Sequence, residues 1–155
     1  MKLRHIPLLF LMGFILFPCL GVAEIKFSDR IEEYSLDNEM KVILIQDKRS
    51  PIVVSSLWYK VGSSFEYPGV TGISHILEHM MFKGTTTTEA GEFSRIIKQL
   101  GGSENAFTGR DFTGYYQKVH KDYLETCLKY ESDRMVNIML NQEDLRTERE
   151  VVKEE

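Results

Sequence analysis

Five residues, His75-Ile76-Leu77-Glu78-His79, carry the most distinctive chemistry in the chain. Histidines four apart lie one helical turn from each other on the same face. Glu78, three residues after His75, projects near that face. Two imidazoles can bind one zinc ion, and a carboxylate beside them can take a proton from a metal-bound water. A catalytic zinc normally has three protein ligands and an open position, so a third Asp, Glu or His should come from elsewhere. Glu148, Glu150, Glu154 and Glu155 are the candidates near the end of the chain. Glu148 and Glu155 fall nearly two turns apart on one helical face. The competing reading of these acids is a solvated face paired with Arg149 and Lys153. For the histidines it is an ordinary surface pair or satisfied core residues.

The motif needs a helix, and its surroundings predict one over 71–82, with Ile73, Ile76, Leu77 and Met80 burying it and Gly84 ending it. Upstream, Ile31 to Leu36 and Met40 to Ile45 read as strands joined at Asp37-Asn38-Glu39 in a hairpin. Ile52 to Val61 has apolar residues on both faces and predicts a central, covered strand. The glycine-rich loop 62–72 leads from it to the motif. Thr86 with Glu89, or Thr88 alone, should cap a second helix over 90–100. Ser103 to Thr108 and Phe112 to Val119 predict a hairpin turning at Gly109-Arg110-Asp111. A third helix is expected over 122–138, with Leu124, Leu128, Met135 and Ile138 inward. A fourth follows Asn141 as its cap. The pattern is α+β: a mostly antiparallel sheet with helices packed on one face.

Composition is consistent with a folded domain. With 43% hydrophobic and 27% charged residues, wholesale disorder is excluded. A net charge of −4 and no basic patch argue against nucleic acid as a partner. Residues 1–23 have the pattern of a secretory signal peptide: basic Lys2 and Arg4, an apolar run from Leu8 to Phe17, and small Gly21 and Ala23 before the cleavage point. An uncleaved membrane anchor is the alternative; Cys19 lacks the small residues before it that a lipoprotein site uses. Export is therefore expected, most simply to a periplasm. After cleavage Cys127 is the one cysteine left, so no internal disulfide can form.

The H-x-x-E-H order is the inverzincin signature. The stretch from Gly72 to Thr85 resembles the motif of the pitrilysin/insulysin family of zinc peptidases, which includes the mitochondrial processing peptidases and bacterial zinc proteases. Leu36-Asp37-Asn38-Glu39-Met40-Lys41-Val42 resembles that family's opening hairpin, with Glu39 where a glycine is usual. Asn105-Ala106-Phe107-Thr108 and Thr113-Gly114-Tyr115-Tyr116 resemble its substrate-side hairpin, and Glu148 to Glu155 its E-R-x-V-V-x-E-E segment. The blocks occur in the family's order. The resemblance implies one Zn2+ held by His75, His79 and Glu155, Glu78 as general base, and Glu148 supporting a ligand from behind. It implies Asn105 and Ala106 on an edge strand that pairs with an extended peptide substrate. It also implies that 24–155 is the N-terminal part of a zinc endopeptidase domain whose second domain is absent. A non-catalytic, peptide-binding chain that needs a second subunit or domain is the alternative, and the chain alone is expected to cleave poorly.

Overall fold

The computed structural model describes residues 30–155. The predicted signal segment, 1–23, lies outside them. Among the described residues no helix is long and apolar enough to cross a membrane. The chain divides into two compact units, with the boundary between Asp47 and Lys48.

In the first unit, β1 (Ile31–Ser35) and β2 (Lys41–Ile45) form an antiparallel hairpin, with Ile31 opposite Ile45 and Ser35 opposite Lys41. The predicted turn is present. Leu36 N donates to Met40 O at 3.0 Å and Glu39 N to Leu36 O at 2.9 Å. Glu39 sits at φ 66°, in the left-handed region that glycine occupies without steric cost.

The second unit is built on a three-stranded antiparallel sheet of β3 (Ile52–Tyr59), β4 (Ser103–Thr108) and β5 (Thr113–His120), in the order β3-β5-β4. Val53 faces Val119, Leu57 faces Tyr115, and Tyr115 in turn faces Ala106. Side chains alternate across a sheet, and the more buried set is Val53, Leu57 and Tyr59 with Ala106, Tyr115, Gln117 and Val119. Four helices follow: α1 (Ile73–Met80), α2 (Glu92–Gln99), α3 (Leu124–Asn137) and α4 (Gln142–Glu154). Helices α1 and α2 approach β4, α3 crosses β3 and β5, and α4 lies against α1. The core joins Phe93 and Ile97 of α2, Val119 of β5 and Cys127 of α3, with Val53 and Tyr130 packed on it. Buried Arg134 pairs with Glu131 at 2.5 Å and lies over the Tyr115 ring, 4.3 Å from its centroid.

This is the expected α+β architecture, with four local corrections. The predicted central strand β3 is an edge strand among the described residues. Its second face is open, with Ile52, Val54 and Trp58 about half exposed. Apolar residues on both faces look the same in sequence whether the second face is covered or merely hydrophobic; Trp58 is partly shielded by Phe107 and Phe112, at centroid distances of 5.4 and 5.2 Å. In α1, Met80 is buried but Ile73 and Leu77 are exposed. In α3 the inward stripe is Cys127, Glu131 and Arg134, whereas Leu128 and Met135 face outward, because a polar pair held by an aromatic shelf occupies the inner face. The threonine run does not cap α2, which starts after Gly91 without a side-chain cap. Thr85, Thr87 and Thr88 instead donate their hydroxyls to Asp133 of α3 at 2.6, 2.8 and 2.8 Å.

Candidate metal centre

The helix α1 begins at Gly72, whose φ of 87° is left-handed. Its first turn leaves backbone N–H groups without helical partners. Glu66 reaches back to fill that role: its carboxylate accepts from Gly72 N at 2.8 Å and Ser74 N at 2.9 Å. Those two backbone bonds hold its carboxyl below the usual glutamate range. The loop carrying Glu66 is fixed in turn. Ser63 N donates to Gly109 O at 3.1 Å and Ser64 N to Arg110 O at 2.8 Å. The approach requires glycine at position 62, where a Cβ would lie 2.3 Å from Gly109 O.

On the far side stands α4. Asn141 caps it as predicted, its Oδ1 accepting from Asp144 N at 2.8 Å. Glu148 is buried against α1. One carboxylate oxygen lies 2.8 Å from His79 Nδ1 and the other 2.6 Å from Lys83 Nζ. Burial works to raise this carboxyl, but the bonds from Lys83 and His79 outweigh it and hold it low. An ionised Glu148 can only accept, so His79 Nδ1 is the donor of this contact, and in the neutral ring Nε2 is then left with the lone pair.

That lone pair points into a three-donor cluster. His79 Nε2 is 3.2 Å from His75 Nε2 and 3.6 Å from Glu155 Oε2, and His75 Nε2 is 3.1 Å from the same oxygen. Tetrahedral ligands at about 2.0–2.1 Å from a zinc ion lie about 3.3–3.4 Å from one another. The donor types and their separations therefore fit one such ion, and among the described residues this is the group that could hold a metal. Glu155 is half exposed, which leaves the centre open on one side.

Glu78 is 8% exposed, and Thr108 Oγ1 donates to its Oε2 at 2.5 Å. His75, Glu78, His79 and Glu155 line one cleft of about 570 Å3, together with Asn105 and Ala106. The seven residues to which the resemblance gave roles thus gather around one place. Glu150 does not join them; it is exposed and paired with Lys153 at 3.0 Å and Arg149 at 3.2 Å. Nor does exposed Glu154.

Three contributors escaped the sequence reading. Thr108 had a weak signal, since it shares a strand face with Ala106 two residues earlier. Lys83 falls one turn beyond His79 at the end of α1 and could have been placed on its side of the helix. Glu66 had none, because it acts from an irregular loop.

Comparison with known proteins shows the family of the chain. The family model described as "Insulinase (Peptidase family M16)" matches residues 41–155. An uncharacterized zinc protease of Bacillus subtilis, YmxG, is 35% identical over 125 residues, covering 81% of this chain and 31% of that protein. The zinc protease PqqE of Helicobacter pylori is 36% identical, covering 80% of this chain and 28% of its own length. The crystal structure of a protease from Helicobacter pylori superimposes with a TM-score of 0.76 at 35% identity, over 80% of this chain and 30% of that one. The chain thus spans about a third of the length of these relatives.

Proposed function

Because the chain belongs to the insulinase family, peptidase family M16, we propose that it supplies the zinc-binding half-site of a metalloendopeptidase, with His75, His79 and Glu155 as ligands and Glu78 as general base. The observation that carries this reading is the meeting, in one open cleft, of three donors at tetrahedral separations with a buried carboxylate. A bound zinc ion would polarise the scissile carbonyl and lower the pKa of a coordinated water.

The chain's own residues do the rest. Glu148 fixes the tautomer and the ring direction of His79. Thr108 holds Oε2 of Glu78, and the carboxylate would take the proton of the attacking water and deliver it to the leaving amine. Strand β4 is an edge strand among the described residues, so an extended peptide can add to it by main-chain hydrogen bonds beside Asn105 and Ala106. The export pattern of residues 1–23 supports a location outside the cytoplasm, with the periplasm as the proposed compartment.

A second reading rests on length. The chain covers about a third of its relatives, so it would bind zinc and peptide but act only with a second domain or subunit closing the cleft. Two measurements decide. The purified chain is expected to retain one zinc, and Glu155→Gln to weaken retention on the order of 100-fold or more; unchanged retention removes Glu155 from the ligand set. Peptide hydrolysis by the zinc-loaded chain should disappear in Glu78→Gln while zinc stays bound. Zinc binding with no hydrolysis by the unsubstituted chain supports the second reading.

A further inference from the structure

We infer that the Thr108 hydroxyl positions the Glu78 carboxylate, so that the edge strand facing the cleft also aims the general base. The inference rests on the proposed metallopeptidase reading and deepens it. Glu78 lies in α1 and Thr108 closes β4, and the bond between them, 2.5 Å, joins two elements otherwise in side-by-side contact. Among the described residues it is the one hydrogen bond that the Glu78 side chain receives.

The physical need is clear from the side chain. The terminal torsion of a glutamate is broad and nearly two-fold, so an untethered carboxylate samples a wide arc. A base must present one oxygen within hydrogen-bond reach of the proton it takes, and a displacement of about 1 Å can cost about 100-fold in rate. Threonine makes a stiff anchor, because its branched Cβ restricts χ1. Its backbone is also held from both sides. Thr108 pairs with Thr113 across the hairpin, and Thr113 Oγ1 donates to Val61 O at 2.9 Å. The following turn closes through Gly109 N to Phe112 O at 2.8 Å and is gripped by Ser63 and Ser64. Deletion of the hydroxyl would leave Glu78 buried but free to turn, without touching any of the three metal donors. A peptide that adds to β4 would align the same strand whose last residue aims the base.

The test uses the zinc-loaded full chain, with acetohydroxamate as a probe that chelates zinc and shares its proton with a carboxylate placed as a general base. Thr108→Val replaces the hydroxyl by a methyl group; Thr108→Ser keeps it. The expected result is about tenfold weaker hydroxamate binding in Thr108→Val, restored in Thr108→Ser, with zinc affinity the same in all three. Peptide turnover should follow the same order, with kcat lowered and KM held. Hydroxamate binding by Thr108→Val equal to the unsubstituted chain, while Glu78→Gln loses it, overturns the inference and leaves the metallopeptidase reading intact. Loss of zinc in Thr108→Val also overturns it, since the hydroxyl would then support the fold of the centre. Hydroxamate binding undiminished in Glu78→Gln overturns the role of Glu78 and the inference with it.

Discussion

Glu148 shows how one buried carboxylate can serve the centre without entering it. Its two oxygens are divided between His79 Nδ1 and Lys83 Nζ, so a neutral amide could satisfy neither as well. Glu148→Gln is expected to lower zinc affinity about 10–100-fold while His75, His79 and Glu155 remain in place, as measured by competition with a chromophoric chelator. The proposed histidine ligands and base were legible because a helix repeats every three to four residues, so spacing alone puts His75, Glu78 and His79 together. Glu155 and Glu148 needed the family resemblance to be separated from Glu150 and Glu154, because all four read alike in sequence. Burial sets Glu148 apart, turned inward where Glu150 is solvated beside Lys153, whereas Glu155 is set apart by its approach to the two histidines. Thr108 and Lys83 bond partners distant in the chain, so strand alternation and helical spacing gave their faces but not their partners.

At the scale of elements, the placing of α1 depends on a carboxylate that is not part of the helix. Glu66 supplies the hydrogen bonds that an N-cap side chain would normally provide. Its pKa is lowered in the folded state by those backbone bonds. The stabilisation is therefore fully present above the ordinary glutamate pKa and is lost as pH falls through the lower folded-state value. Glu66→Gln should cost about 1 kcal/mol at neutral pH, and its unfolding curve should converge on that of the unsubstituted chain on acidification. A denaturant titration at several pH values checks the sign. The threonine run shows where local rules reach their limit. Thr86 with Glu89 fits a capping pattern, but tertiary structure offers Asp133 as a stronger acceptor, and the neighbouring hydroxyls turn to it. Four hydrogen bonds, the first from Thr85 and the next from Asn137, hold Asp133 well below the usual carboxylate range.

For the second unit as a whole, one buried ion pair links sheet and helices. Arg134 and Glu131 are each about 5% exposed or less, Gln117 Nε2 donates to Glu131 at 2.5 Å, and the guanidinium rests on the rings of Tyr115 and Phe82. Breaking such a pair leaves a buried charge without compensation. Arg134→Leu is expected to destabilise the fold by about 3–5 kcal/mol, read as a lowered denaturation midpoint. The sequence reading placed Leu128 and Met135 inward and missed this pair, because hydrophobic periodicity scores Glu131 and Arg134 as surface. The order of elements, the hairpins and the fold class were legible, since they follow from turns and alternation. The open face of β3 was not, because composition cannot say whether a neighbour covers it.

The proposed metal donors come from α1 and from the residue that follows α4, elements far apart in the chain that the fold brings together. An unfolded chain holds His79 and Glu155 too far apart, on average, to share an ion, so whatever free energy the metal releases on binding is added to the free energy of folding. At a free metal concentration of about 100 times Kd that linkage contributes about 2.7 kcal/mol. Metal supply would then act as a thermodynamic control on how much of the chain is folded, apart from any chemistry at the cleft.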